Sequence, residues 1–475
     1  MKRVYLLTLL MVATVAMAGA KPRSKSDLIA ESQTGSKESF FEMNESKNYN
    51  IDVKGFSNPK EFNVRRGLPN FFRKCESGGE IRVAYIGGSI TRSDEMYRKQ
   101  TANYIADLYP KCKMYGINAG IAGTGADLGV CRTGEQVLKY NPDLLIIEFA
   151  VNGADEKGVE GIIRQTIKHN PETDILLVHT VYRGQAEEYT KDDVPFNIKR
   201  LEKVAEYYNL PSVHMGMWAG HLIKDGKMVW AGDPDASKNG GKIAFSRDGV
   251  HPLETGGNYY AAAVARALNV MKSSVGTEKL TLPTPLNPMQ MERATMLNPK
   301  DLGVDSSWDV ITSRGDKRFD TFQYWFDEVF DGTSKSNPIK FMFKGCKIGI
   351  LDIGAEDGAA VDIFIGGKKL IVSKYAPGAG NKILETALID PKDPRYSSSR
   401  FSKMCVRGWC RGQFVLIPVE EGVHEVEIRV CDPSRLDKKA VSELSDEKYA
   451  QKSEMLNKHK LHLGRVLIEG ELIEK

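Results

Sequence analysis

The sequence predicts a three-layer α/β domain with a doubly wound parallel sheet, followed by an antiparallel β-sandwich. Three observations carry this. Between residues 66 and 272, apolar runs of strand length alternate with segments of helical spacing. The stretch Leu282-Pro283-Thr284-Pro285-Leu286-Asn287-Pro288 then breaks both patterns, and beyond it the apolar runs are short, partly alternating and divided by turn residues. At roughly 100–200 residues per domain, 475 residues allow two or three domains with cores of their own.

The elements follow in order. Met1-Lys2-Arg3, an apolar run from Val4 to Ala18 and the small residues Ala18-Gly19-Ala20 form a signal-peptide pattern over residues 1–20. The run is short for a membrane span of about 20 residues. No Cys lies near the cleavage region, so no lipobox is present, and a secreted or periplasmic protein is expected, free of the membrane after cleavage. Residues 21–65, polar and rich in Lys, Ser, Asn and Glu, read as a leader that becomes ordered only near the first domain.

Strands are expected at Ile81–Ile86, Met114–Asn118, Leu144–Phe149, Ile175–Val181 and Ser212–Met215, apolar nearly throughout as parallel strands covered on both faces are. Helices are expected between them at Ala102–Leu108, Leu128–Lys139, Gly158–His169 and Phe196–Tyr208, with a last one at Gly257–Met271. This gives a first domain over 66–275, a linker over 276–299 and a sandwich over 300–475. In the sandwich the strand-like runs are Lys340–Lys344, Lys347–Ile353, Ala360–Ile365, Lys369–Val372, Gln413–Pro418 and His424–Val430, with turns at Gly366-Gly367 and Glu421-Gly422.

Composition removes several function classes. Lys plus Arg total 66 against 62 for Asp plus Glu, a net +4 with no run of five like charges, so no nucleic-acid partner is indicated. The seven Cys are too sparse for a disulfide-stapled fold and lack zinc-ligand spacing; they read mostly as small buried hydrophobes, with one or two disulfides allowed. No cluster of His, Cys or carboxylates has metal-ligand spacing, so neither metal nor cofactor is called for.

Four polar segments fall at the carboxyl ends of the predicted strands or just before the last helix, the edge where a doubly wound sheet binds ligands. They are Gly87-Gly88-Ser89-Ile90-Thr91, the Gly-rich turn 118–125, Ala150-Val151-Asn152-Gly153, and Asp248-Gly249-Val250-His251-Pro252. Together they fit acyl transfer, which needs a nucleophile, a base, a group that orients the base, and oxyanion donors. Ser89 is the nucleophile. Asp248, three residues before His251 in a turn, can bind its Nδ1 and leave Nε2 for Ser89. The backbone N–H groups of Ser89 and Gly123 and the Asn152 amide are the candidate oxyanion donors.

The order Gly-Gly-Ser-Ile-Thr, Asn118-Ala119-Gly120-Ile121-Ala122-Gly123, Val151-Asn152 and Asp248-Gly249-Val250-His251-Pro252 resembles the four blocks of the SGNH (GDSL-type) hydrolase family, over roughly residues 66–272. The resemblance implies a flavodoxin-like sheet, a Ser89–Asp248–His251 triad and a three-donor oxyanion hole of Ser89, Gly123 and Asn152. Two positions depart from the family pattern. Gly88 stands where an Asp usually precedes the Ser, and Gly153 stands where an Asp usually follows the Asn. Another group must therefore tie these loops, with Glu148 and Asp155 as candidates. With the signal pattern and the appended sandwich, the resemblance is greatest to secreted bacterial esterases that remove short acyl groups, usually acetyl, from polysaccharides. The alternatives are a lipase or thioesterase of the same family, and a glycan-binding protein without catalysis.

Three further residues are candidate substrate contacts. His179 ends the fourth predicted strand, and is either such a contact or a structural His; Trp218 and Trp230 lie in the excursion 216–247 and either stack on a sugar or pack. In the sandwich, Tyr375, Tyr396 and Trp409 either meet glycan or belong to the core, and the domain either engages polymer, walls the site or stabilises the fold.

Overall fold

The computed structural model describes residues 40–43, 50–93, 96–191, 193–273, 279–313, 316–375, 383–393, 397–401, 405–406 and 410–473. The expected signal peptide, the leader up to residue 39, and Tyr396 and Trp409 lie outside the described residues.

The first sheet contains β1 (Phe40–Glu42), β2 (Phe62–Asn63), β3 (Gly79–Gly87), β4 (Cys112–Gly120), β5 (Leu144–Glu148), β6 (Asp174–His179) and β7 (Ser212–His214), ordered β1-β4-β3-β5-β6-β7-β2. Strands β3 to β7 are parallel. Their order, one crossover to one side of β3 and the rest to the other, is the flavodoxin-like arrangement. The strands are apolar on both faces because helices cover both. Ile146, Leu176 and Val213 are fully buried, and so are Ile162 and Val264 on the helices Glu156–His169 and Glu254–Met271.

The leader is more ordered than its polarity suggested. Its short strands β1 and β2 pair antiparallel with β4 and β7 and close the two sheet edges. Fully buried Glu61 takes a two-pronged ion pair from Arg266 at 2.7 and 2.6 Å. The excursion after β7 folds into the helix Met217–Lys224 and a two-stranded parallel pair, β8 (Met228–Ala231) and β9 (Ile243–Ser246).

The Pro-rich stretch is strapped down: buried Glu160 accepts from Leu286 N (2.6 Å), Asn287 N (2.9 Å) and Asn287 Nδ2 (2.5 Å), and Arg164 donates to Pro283 O at 2.7 Å. The chain then enters the second sheet as β10 (Ala294–Leu297).

That sheet continues with β11 (Asp309–Thr312), β12 (Glu328–Gly332), β13 (Ile339–Gly354), β14 (Ala360–Ile365), β15 (Lys368–Tyr375), β16 (Ile383–Ile389), β17 (Ser398–Ser399), β18 (Arg411–Val430) and β19 (Leu461–Ile473). It is antiparallel, and folds into a sandwich around Phe343, Ile348, Val426, Ile428, Leu461 and Leu463. The pair Gly366-Gly367 turns as expected. Glu421-Gly422 does not: both lie inside β18, where the register shifts opposite Gly345 and Lys347. The runs expected as separate strands are thus long strands that bulge, not hairpins. The described cysteines are all free thiols.

The two units share one core. Phe319, Phe322, Trp325 and Phe326, in the segment before β12, pack in the same apolar cluster as the first sheet. Arg465 on β19 is buried between Glu135 (2.8 Å) of the first domain and Asp327 (3.1 Å).

Candidate active site

The Ser89 turn is built from beneath. β3 ends at Gly87, and Ser89 opens a four-residue helical turn, Ser89–Arg92. Two fully buried groups fix it. Glu148, the last residue of β5, accepts from Thr91 Oγ1 (3.0 Å), Thr180 Oγ1 (2.6 Å) and the Gly88 N–H. Burial raises its carboxyl above the ordinary range, against the pull of those three hydrogen bonds. Arg132 donates to Gly87 O at 3.1 Å and to Ala119 O, joining the ends of β3 and β4. Burial lowers its guanidinium to about 9.

His251 is presented by the turn after β9. Ser89 Oγ lies 2.6 Å from His251 Nε2, and His251 Nδ1 lies 2.6 Å from Asp248 Oδ2. The other Asp248 oxygen accepts from the backbone of Val250 and His251 (2.9 Å each) and from Ser246 Oγ (3.1 Å). Partial desolvation works against its charge, but the His251 ring and the backbone donors outweigh that and hold the carboxyl well below the usual carboxylate range. Gly249 sits at φ +89°, in the left-handed region that favours glycine. Its carbonyl accepts from Trp230 Nε1 (2.9 Å) and Arg183 N (3.2 Å), which anchors the turn. The dyad is open to solvent, with 40% of the His251 and 54% of the Asp248 side chain exposed.

Asn152 follows β5 and lies against the Ser89 turn. A Cβ at Gly88 would stand 2.2 Å from Asn152 Oδ1, so glycine at 88 makes room for the amide beside Ser89. The loop carrying Asn152 is pinned from two sides: Asn197 Nδ2 donates to Ala150 O at 2.8 Å, and Tyr182 Oη donates to Val151 O. Gly123 follows β4 at φ +72° with open space around its Cα, exposed at the same sheet edge. The arrangement can activate a serine hydroxyl and receive a developing oxyanion.

No protein-family model and no curated protein matches the sequence. Solved structures do match. A two-domain esterase active on acetylated mannans, co-crystallised with mannopentaose, aligns at 20% identity and TM-score 0.56, over 84% of this chain and 94% of that one. The same esterase without the oligosaccharide aligns at 19% identity and TM-score 0.54, over 84% and 93%. An acetylxylan esterase from Geobacillus stearothermophilus aligns at 20% identity and TM-score 0.31, over 40% and 95%. The likeness to the two-domain esterase shows a shared fold across both domains.

Ser89, His251 and Asp248 are thus in hydrogen-bond contact, with Asn152 against Gly88. The three candidate substrate contacts take the structural alternative in each case. His179 is 1% exposed and donates from Nε2 to Glu202 at 2.8 Å, because the helix Phe196–Tyr207 covers the end of β6. Trp218 is buried between Phe56 and the edge of Tyr259. Trp230 is buried, stacked on Phe245 at 4.3 Å, and meets the turn between Asp248 and His251 instead of solvent. Of the candidate ties, Asp155 only caps the helix Glu156–His169, while Glu148 holds the Ser89 turn. Sequence reasoning missed Arg132 and Asn197, which sit at ordinary helical positions. The second domain reaches under the site, the walling arrangement that was one of the sequence expectations: Tyr324 lies 3.9 Å from the Arg92 guanidinium, and Trp325 O accepts from Gln136, which pairs with Arg132 at 2.8 Å. Among the described residues no group of His, Cys and carboxylates could hold a metal, and no helix is long and apolar enough to cross a membrane.

Proposed function

We propose that this chain is an exported serine esterase that removes short acyl groups, acetyl above all, from a polysaccharide through an acyl-enzyme on Ser89. The observation that carries the reading is the relay in which Ser89 Oγ, His251 and Asp248 stand 2.6 Å apart at each step. His251 Nε2 takes the Ser89 proton as Oγ attacks the ester carbonyl, and Asp248 stabilises the resulting imidazolium through Nδ1. The carbonyl oxygen becomes an oxyanion, received by the Ser89 and Gly123 N–H groups and the Asn152 amide. The bond to the sugar oxygen breaks, and His251 returns the proton to that oxygen. Water, deprotonated by His251, then releases acetate from Ser89.

The carbohydrate substrate is supported by the shared two-domain architecture with an esterase active on acetylated mannans and by the solvent-open dyad, which suits a bulky polymer. Export is supported by the signal pattern of residues 1–20. The test is acetate release from acetylated mannan and acetylated xylan. Ser89→Ala and His251→Ala should each lower kcat by about 10⁶. Release by both variants at the wild-type rate would refute the mechanism.

A further inference from the structure

The sequence offered Trp218 and Trp230 as aromatic surfaces for a sugar, and the fold buries both. It exposes a different ring. Phe196 is 75% exposed, the most exposed large apolar side chain among the described residues, and so forgoes the gain that burial would bring. Its backbone is firmly held. The Pro195 carbonyl accepts from Ile198 N and Lys199 N at 2.9 Å each, and Ile198 and Leu201 anchor the same helix in the core. The next residue, Asn197, donates to Ala150 O at 2.8 Å and accepts from Gln185 Nε2 at 2.9 Å.

These bonds place the ring relative to the chemistry. The helix Phe196–Tyr207 follows β6, so it begins at the carboxyl edge of the sheet, where Ser89, Gly123 and Asn152 lie. Ala150 is two residues before Asn152 in the same loop. Phe196 therefore stands on the rim of the site, just beyond the oxyanion loop on its β6 side.

We infer that Phe196 is a stacking platform for a pyranose ring of the polysaccharide, away from the acetylated sugar. The inference rests on the polysaccharide reading proposed above. A sugar ring presents a face of C–H groups, and an aromatic face carries the negative part of its quadrupole, so the two attract while both shed water. A ring carried on a fixed backbone, with only two side-chain torsions to order, loses little conformational freedom on binding.

The test compares kcat/KM of the full chain on acetylated mannan and acetylated xylan with that on 4-nitrophenyl acetate, for the wild type, Phe196→Ala and Phe196→Trp. Phe196→Ala should lower the polymer-to-small-ester ratio about two- to tenfold, through KM, and Phe196→Trp should restore it. Binding of mannopentaose to Ser89→Ala, with and without Phe196→Ala, should weaken by the same factor. An unchanged ratio with Phe196→Ala, whether both rates hold or both fall together, overturns the platform and leaves the esterase reading standing. If the wild type cleaves the small ester but neither cleaves nor binds the polymers or mannopentaose, the polysaccharide reading falls and the platform with it.

Discussion

Gly88→Ala is the sharpest probe of the oxyanion site, because it adds one methyl at a position where the structure leaves none. The new Cβ would stand 2.2 Å from Asn152 Oδ1 and 2.7 Å from Cγ, whereas ordinary contact begins at 3.4 Å. The amide must retreat by roughly 1 Å, the scale of misplacement that can cost about 10²-fold in rate. Removing an oxyanion donor outright costs about 10²–10³ in kcat. Gly88 has φ −90°, outside the left-handed region that favours glycine, so the added methyl acts chiefly through its clash with Asn152. The assay is steady-state hydrolysis of 4-nitrophenyl acetate by the wild type, Gly88→Ala, Asn152→Ala and the double variant. Gly88→Ala should lose about 10²-fold in kcat with little change in Tm. In the Asn152→Ala background the same substitution should cost far less, since both act through one group. Wild-type kcat in Gly88→Ala, or full additivity in the double variant, would refute this placement of Asn152.

Three further outcomes are expected. Trp230→Phe keeps the stack on Phe245 but deletes the donor to Gly249 O; at about 0.5–1.5 kcal/mol for a hydrogen bond, kcat/KM should fall by about two- to tenfold, and a lowered Tm with unchanged kcat/KM would make Trp230 packing alone. A chain ending at Thr281 should lose solubility and activity on small and polymeric esters alike, because it leaves buried Glu160 and Arg164 without their strap and uncovers the shared core around Trp325; a soluble truncated enzyme with wild-type rates would contradict this. The last concerns pH. Burial alone would lower His462, but Asp331 (2.6 Å) and Asp357 (2.8 Å) bind its two nitrogens and raise it to about 9. A folded-state value above the unfolded one contributes stability that is full below about 6.5 and lost as the pH rises to about 9, on the order of 3 kcal/mol in all. Thermal unfolding should show Tm falling over that window in the wild type and flat in His462→Gln; equal slopes would refute it.

The parts of the fold legible in the sequence were those written in local patterns. The five parallel strands are apolar runs because helices bury both their faces, and the three residues of the relay could be read because Ser89 follows a strand end while Asp248 and His251 share one turn just before the last helix. What was hidden depends on partners far along the chain. Glu148 could be named as a loop tie only side by side with Asp155, and only its bonds to Thr91, Thr180 and the Gly88 N–H decide between the two. The Pro-rich stretch reads as a linker because the groups that hold it, Glu160 and Arg164, lie more than a hundred residues earlier. β1 and β2 are too short for any periodicity and exist by pairing with sheet edges. The bulge at Gly345 and Lys347 cut two long strands into apparent hairpins. Trp230 was placed near the site with stacking on sugar and packing both open, and its stack on Phe245 and bond to Gly249, neither visible in the sequence, decide for packing.

The central claim is that Ser89 carries the acyl group, and trapping the acyl-enzyme tests it most directly. The protein is mixed with 4-nitrophenyl acetate, quenched in acid within the first turnovers, and mapped by peptide mass spectrometry. One acetyl group should appear on the peptide holding Ser89, accompanied by a burst of 4-nitrophenol, and both should vanish in Ser89→Ala. Turnover without acetylation of that peptide, or undiminished turnover in Ser89→Ala, would contradict the account.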